Sequence, residues 1–395
     1  MRVVVVGAGM GGLVLAHGLA ANGIEVRVHE RDARAADTGG YRLHLGPDAC
    51  AALRHAVPAA VYQAVVASSA GAAGFRQFSM FDHRLRLLTS LATEPGENLL
   101  IGRVALRSLL ADSLPTTTRF SSEFTTFSRS GKQITAHFAD GTADDCDLLV
   151  GADGVRSRVV RQLAGRRLAR ALPERGFAGQ AEWDDVASGM PEELLSGPAF
   201  VIGPDGVAMF LSAHDPSSSD IDPVAVGAPA QPATVLWGVI SHDDVDVDAV
   251  ARWAPWVRVL LDRTPAGAVT RFPFHAVDPA ADLTPWQAGR VTALGDAVHA
   301  MPPTGGQGAG TAIRDAWLLA SSLAAADVDT IPLAVRDYQR GMADYAAAAV
   351  RESLQPLRWR RAVSSPVGFG AVRVAAAVSS AVRALRRAAP STAGR

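Results

Sequence analysis

The chain has 395 residues, with 38 Lys and Arg against 39 Asp and Glu, a formal net charge of −1. That length is enough for two domains and a large core, and the charge balance leaves no electrostatic footprint for nucleic acid. Two cysteines, Cys50 and Cys146, exclude a disulfide framework and give no metal-ligand spacing, so no metal is expected.

Val3–Val6 is a β-branched run of the kind that fills a central parallel strand. Gly7-Ala8-Gly9-Met10-Gly11-Gly12 follows, with Gly7, Gly9 and Gly12 filling the pattern G-x-G-x-x-G. Gly7 permits a tight turn, Gly9 lets a pyrophosphate approach the backbone, and Gly12 lets the next helix pack on the strand. Glu30 ends the second strand, where a carboxylate can bind ribose hydroxyls; Arg31 stands beside it. Val3 to Ile24 lacks Asp, Glu, Lys and Arg and so imitates a leader or a membrane span. The glycine turn and the Asn22-Gly23 stop divide it into strand and helix, so a cytoplasmic enzyme with no firm membrane signal is expected.

Asp37 to Leu45 reads as a polar loop carrying Arg42, and Pro47–Val57 as a helix. Between Ala70 and Thr93, Phe75, Phe78, Met80 and Phe81 alternate loosely with polar residues, as in antiparallel strands. Ile101 to Arg107 returns to a strand-then-helix pattern with Arg103 at the junction. Ile134–Phe138 and Cys146–Val150 are strands around the turn Asp140-Gly141, and Gly151-Ala152-Asp153-Gly154 follows at a strand end. Arg156 and Arg158, just beyond, suit phosphate binding or capping of that turn. Residues 170 to 284 hold short apolar runs between turn residues: Phe177–Trp183, Ala199–Ile202, Val207–Ser212 and Val235–Ile240. These predict an antiparallel sheet, with a long connection over Asp215–Gln231 and a helix over Asp246–Leu261. Candidate pocket residues there are Trp183, Met209, Phe210, Trp237, Phe274 and His275, with core packing the alternative for each. His214 and His275 lack the partners a metal site needs.

The densest signal is Gly295-Asp-Ala-Val-His-Ala-Met-Pro-Pro-Thr-Gly-Gly-Gln-Gly-Ala-Gly310. A strand, Val291 to Leu294, precedes it, and an Ala-rich helix, Thr311–Leu323, follows. Such a loop can lie flat against a planar ligand, because Gly lets backbone approach and Pro holds the shape. The free N–H groups of Gly308, Ala309 and Gly310 suit a partial negative charge, and Asp296 is placed to accept hydrogen bonds from hydroxyls. Ala334–Leu357 and Ala371–Ala388 predict C-terminal helices, the second rich in arginine.

Together, Gly7–Gly12, Asp153-Gly154 and Gly295–Gly310 resemble the three motifs of the FAD-dependent aromatic hydroxylases, single-component flavoprotein monooxygenases. The resemblance implies an α/β fold: a Rossmann-type FAD-binding domain (1–69, 95–169, 285–330), an antiparallel substrate domain (70–94, 170–284) and a C-terminal helical region (331–395). It implies FAD as cofactor, with Asp296 on its ribityl and pyrophosphate region, Arg103 reaching the flavin side chain, Asp153 supporting the nucleotides, and Pro303, Gly305 and Gly306 beside the ring. Where the family usually carries a small residue, this chain has Arg42, which is expected either to touch cofactor phosphate, to meet incoming nicotinamide nucleotide, or to be a solvated loop arginine. The implied chemistry is reduction of FAD by NADPH or NADH, formation of a flavin C4a-hydroperoxide with O2, and transfer of one oxygen atom to an apolar, aromatic or polyketide-like molecule. The expected assembly is a monomer or homodimer. A non-redox cyclase using FAD as a scaffold is the alternative. A flavin-dependent halogenase is less compatible, since Trp253-Ala-Pro-Trp256 is not the W-x-W-x-I-P pattern of those enzymes.

Overall fold

The computed structural model describes residues 1–363 except 40–41, 71, 94–95, 115, 205, 220, 229–230 and 243–246, together with residue 368. The arginine-rich stretch 371–388, expected to be helical, lies outside the described residues.

A five-stranded parallel sheet runs in the order Val291–Ala293, Leu148–Gly151, Arg2–Val6, Glu25–His29, Thr118–Arg119. Its centre is the valine run. Val3 and Val5 pack into the core built with the helices Met10–Ala21 and Gly308–Ala324. Val4 and Val6 face the opposite way, onto Phe124, Ile134 and Phe138 of a three-stranded antiparallel sheet. Burial on both faces is why this strand carries no alternation of polar residues.

The turn after it depends on glycine. Gly7 has φ +107°, and a Cβ there would lie 2.3 Å from the Ala152 carbonyl oxygen. A Cβ on Gly12 would lie 2.0 Å from the Gly7 carbonyl oxygen. Helix and strand therefore close to a distance that any side chain would prevent.

A seven-stranded sheet runs Thr270–Ala276, Arg170–Glu182, Thr234–His242, Ala208–His214, Ala199–Ile202, Gln77–Asp82, Leu87–Ala92. Its ladders are antiparallel except one: Ala199–Ile202 pairs parallel with Gln77–Asp82. That exception attaches the 77–92 hairpin to strands more than a hundred residues later. One face packs on the helix Pro255–Asp262 through Trp237, Met209, Trp256 and Leu260. The other presents Phe200, Phe210, Ile240 and Phe274. The helix expected over Asp246–Leu261 starts only at Pro255, whose fixed φ and missing N–H suit the first helical position.

A third small sheet, Arg42–Leu45, Leu99–Gly102 and Ser69–Ala70, joins these two bodies. Arg42 is thus on a strand and not in a loop. The helix Ile331–Val363 packs along Gly308–Ala324, and the Tyr338 hydroxyl donates to the Ala293 carbonyl at 3.0 Å. Cys50 and Cys146 are buried free thiols, each pushed up to about 12 by burial. Among the described residues no helix is long and apolar enough to cross a membrane.

Gly12→Ala is expected to destabilise the protein by ~1–3 kcal/mol or more, the usual cost of overpacking, because the new methyl meets backbone that cannot rotate away. Denaturant unfolding of the purified variant against wild type measures this.

Candidate active site

Three spaces join end to end. The first, about 510 Å³, lies at the C-terminal edge of the parallel sheet and is bordered by Gly9, Glu30, Arg31, Arg103, Asp153 and Arg156. The second, about 360 Å³, shares Gly9, Arg103 and Gly154 with it and runs on to Asp296, Pro303, Gly308 and Ala309. The third, about 330 Å³, shares Pro303, Gly306, Phe272 and Phe274 with the second and continues under the seven-stranded sheet. A polar groove therefore becomes an apolar cavity, with the Pro303–Gly306 turn as the wall between.

In the first space Glu30 is buried and its carboxylate is held in place. It accepts from Ala8 N at 2.7 Å and Asp32 N at 3.0 Å, and pairs with Arg107 at 3.0 Å. Arg107 also reaches Asp32 and the Ala8 carbonyl, each at 2.8 Å. Arg107 was not singled out by sequence, although its position one helical turn past Arg103 was a signal for a shared face. Arg31 is largely exposed on the rim. Asp153 accepts from Ser157 Oγ at 2.5 Å and Arg158 N at 2.7 Å, fixing the turn into the helix Arg158–Ala164. Burial raises its carboxyl above the ordinary range, and those hydrogen bonds pull it back.

In the second space Gly295, at φ +64°, turns the chain from strand into loop. Its N–H donates to Asp315 Oδ2 at 2.8 Å. The same oxygen lies 2.6 Å from His299 Nε2, and Asp315 Oδ1 accepts from the Tyr345 hydroxyl at 2.6 Å. His299 and Asp315 are both wholly buried. Burial opposes protonation of His299, but the charge and hydrogen bond of Asp315 outweigh it and raise the imidazole above its ordinary value. This clamp aims Asp296 into the groove, where its carboxylate is exposed. The chain around it withholds solvation and raises it, while His299 and Arg103 pull it down. Gly305 is backed by Ser353 of the long helix, whose carbonyl accepts from Thr304 Oγ1.

The residues present fit a dinucleotide. Gly9 has open space where a Cβ would stand. Arg103 Nε is buried with no hydrogen-bond partner, and it borders both grooves. The Asp296 carboxylate takes no hydrogen bond from any described residue. The first-turn amides of Gly308, Ala309 and Gly310 begin a 17-residue helix beside it, and N–H groups there favour negative charge. A ligand with phosphate and hydroxyl groups satisfies all of these.

The third space sorts the residues expected either to line a pocket or to pack the core. Phe210 and Phe274 border it, joined by Phe75, Phe78 and Phe200, and His275 borders the second space. Met209 and Trp237 do not turn their side chains to it. Met209 is buried in the helix-facing core, and the Trp237 indole donates to Thr264 Oγ1 at 2.8 Å on that same face; only its strand walls the cavity. Trp183 packs against that core too. His44, which sequence reasoning missed, borders both spaces, stacks on Phe75 at 4.0 Å and meets Asn98 Oδ1 at 2.9 Å. Arg42 is neither solvated nor at the phosphate-side groove: it borders the second and third spaces and donates to the Ser212 carbonyl at 2.6 Å and the Thr234 carbonyl at 3.0 Å. Among the described residues no three His, Cys, Asp or Glu side chains are arranged to hold a metal ion.

A parallel sheet with a glycine turn, a polar groove at its edge and an apolar cavity beyond a Pro-Gly wall are the features of a flavoprotein. The family model described as FAD binding domain matches residues 1–173 and 274–353, and the chain belongs to that family. The 6-hydroxynicotinate 3-monooxygenase of Pseudomonas fluorescens is 28% identical over 373 residues, covering 89% of this chain and 90% of that one. A 3-amino-4-hydroxybenzoate 2-monooxygenase of Streptomyces platensis is 31% identical over 351 residues, covering 86% and 83%. Klebsiella pneumoniae HpxO, solved with FAD and uric acid, shares the fold with a TM-score of 0.74 at 20% identity, covering 95% of this chain and 96% of that one. The protein is an FAD-dependent monooxygenase.

Two outcomes follow. Asp296→Ala is expected to weaken FAD binding roughly ten- to a hundredfold, since hydrogen bonds to a charged group are worth ~1.5–3 kcal/mol; titration of apoprotein with FAD measures it. His299 has a folded-state value raised above its ordinary 6.5, so its contribution to stability is full below pH 6.5 and is lost as pH rises through the folded value. The stability difference between wild type and His299→Gln, from denaturant unfolding across pH, is expected to shrink as pH climbs above 6.5.

Proposed function

We propose that the protein uses NADPH or NADH and O2 to insert one oxygen atom into an apolar, aromatic or polyketide-like small molecule bound in the third space. The observation that carries this reading is the shared wall. Pro303, Gly306, Phe272 and Phe274 border both the cofactor groove and the apolar cavity, so a molecule in the cavity lies against the cofactor across a largely apolar wall, with Arg42 at its edge. FAD, when bound, supplies the redox chemistry, accepting a hydride and activating oxygen.

In this reading residues 1–69, 95–169 and 285–330 hold FAD and residues 70–94 and 170–284 shape the cavity. Gly7, Gly9 and Gly12 let the pyrophosphate near the backbone. Glu30, Arg31 and Asp153 serve the nucleotide half, and Arg103 with Asp296 spans the middle. Gly308, Ala309 and Gly310 offer amides toward the ring, and Pro303, Gly305 and Gly306 form the ring-side wall. The remaining work of the chain is to orient the substrate and keep water out. Phe75, Phe78, Phe200, Phe210 and Phe274 do both, being stiff, flat and apolar. The half-buried His44 ring, lowered below its ordinary value by burial and raised in part by Asn98, borders the groove and the cavity together.

Supplied with substrate, the enzyme is expected to consume NAD(P)H faster and to place one labelled atom from ¹⁸O2 in the product. Phe210→Ala, which opens the cavity, is expected to lower product per NAD(P)H oxidised and to raise hydrogen peroxide in the same measure. Full-rate conversion without nicotinamide or oxygen, giving product of unchanged mass, points instead to the cyclase reading.

A further inference from the structure

Three buried side chains at the far end of the first groove form a hydrogen-bonded chain. Ser122 Oγ lies 2.9 Å from His29 Nδ1, and His29 Nε2 lies 3.1 Å from Asp144 Oδ2. Ser122 and His29 are each 2% exposed and Asp144 8%, so water does not compete for these bonds. The other Asp144 oxygen accepts from Arg27 at 2.9 Å, and the imidazole stacks on Phe138 at 4.0 Å. Ring and carboxylate are each held by a second partner. Backbone holds the serine. Ser122 N–H donates to the Glu30 carbonyl at 2.7 Å, and Ser121 N–H donates to the Asp32 carbonyl at 2.8 Å. Ser121 itself stands at φ +54°, a conformation uncommon for a residue with a Cβ. The bend lays Ser122 beside Glu30.

The order of the partners decides where the hydrogens go. A carboxylate only accepts, so Nε2 carries the hydrogen that it donates to Asp144. Burial holds the ring below its ordinary 6.5 against the pull of Asp144. That favours the neutral imidazole, which has a single N–H. Nδ1 is then an acceptor, and the Ser122 hydroxyl donates its hydrogen inward to it. The lone pairs of Ser122 are left, and no described residue donates to them. A buried acceptor of fixed direction is costly when unpaired, so it suits a ligand group that donates.

Position identifies the group. Ser122 and His29 border the first groove and neither of the other two spaces. Gly9, where a pyrophosphate approaches, is shared with the ring-side groove, and Glu30 is the acid suited to a ribose. Ser122 lies on the side of Glu30 away from the flavin, where the base of the dinucleotide belongs. Adenine has one exocyclic donor, its 6-amino group.

We propose that Ser122 accepts a hydrogen bond from the adenine 6-amino group of FAD, and that His29 and Asp144 are positioning residues that commit the serine hydrogen inward. The chain thereby selects adenine over purines that carry oxygen at C6. This rests on the placement of the nucleotide half at Glu30 and is independent of the oxygen transfer assigned to the cavity.

The test is a competition for the full-length protein. Holoenzyme is equilibrated with an equimolar excess of FAD and one analogue and freed of unbound flavin. The retained dinucleotides are then released by acid and separated. The analogues are flavin purine dinucleotide, which lacks the amino group, and flavin hypoxanthine dinucleotide, which puts an acceptor in its place. Wild type is expected to retain FAD over the hypoxanthine analogue by at least about tenfold, with the purine analogue between, since a buried acceptor is left facing an acceptor. In Ser122→Ala the ratios are expected to fall to within about twofold of unity. In His29→Phe, which keeps the stack on Phe138, the serine hydroxyl is free to turn and donate, so the hypoxanthine ratio is expected to fall at least about threefold. A wild-type ratio near unity overturns the proposal, as does an undiminished ratio in Ser122→Ala. An undiminished ratio in His29→Phe, with total retention lowered, makes His29 a packing residue and overturns the positioning role. If Ser122→Ala retains no flavin, the wild-type and His29→Phe ratios decide. Glu30→Gln is expected to lower retention of all three dinucleotides in parallel; unchanged retention overturns the placement itself, whereas lowered retention beside a flat wild-type ratio removes the base reading alone.

Discussion

One carboxylate holds the cofactor loop in place. Asp315 is wholly buried, and its two oxygens serve the Gly295 amide, the His299 ring and the Tyr345 hydroxyl. These three groups come from a strand end, a short turn and the long C-terminal helix. A buried charge of this kind is stable only with its partners complete, so the strand, the loop and both helices share one geometry or lose it together. Asp296 stands next to Gly295 in sequence, and the direction of its side chain is a consequence of that clamp.

The same economy separates polar from apolar chemistry. The nucleotide side of the site is built from fixed charges, with Glu30, Asp32 and Arg107 satisfying one another. The far side is built from phenylalanines on one face of a sheet. Between them stands a short turn of Pro303, Thr304 and Gly305, backed by Ser353 at a distance that admits no Cβ on Gly305. A thin wall of backbone lets two chemically opposite compartments meet, and water exclusion is what oxygen transfer demands.

Much of this was legible in the sequence because the signals are local. The valine run, the Gly7–Gly12 turn, Asp153 and the Gly295–Gly310 loop each sit where a strand ends, and the residue types report that position. The cavity face was harder to read. Val207–Ser212 is apolar almost throughout, with no alternation to mark its two sides, so Met209 and Phe210 looked equivalent although they point in opposite directions. Trp237 is likewise large and apolar, but its register against Leu211 and Gly179 turns it to the helix side. Arg42 looked like a loop residue because its strand is short and partners a segment some sixty residues on. The Asp315 clamp was invisible for a related reason: its members are separated by 16 to 30 residues, and nothing in their types announces the contact.

The strand orders have a consequence for how the chain reaches its native state. Val291–Ala293 completes the parallel sheet beside Leu148–Gly151, so the first sheet cannot be finished until the whole 170–276 segment has been made. Ala199–Ile202 in turn completes its ladder on Gln77–Asp82, a hairpin made long before. Each body waits for a piece of the other, and neither half of the polypeptide contains the whole of the five-stranded or the seven-stranded sheet. Such pairings pay loop-closure entropy before contacts reward it, which makes assembly slow and leaves open sheet edges exposed on the way. The architecture that brings groove and cavity to a common wall is therefore also the one that ties the two bodies into a single late folding step.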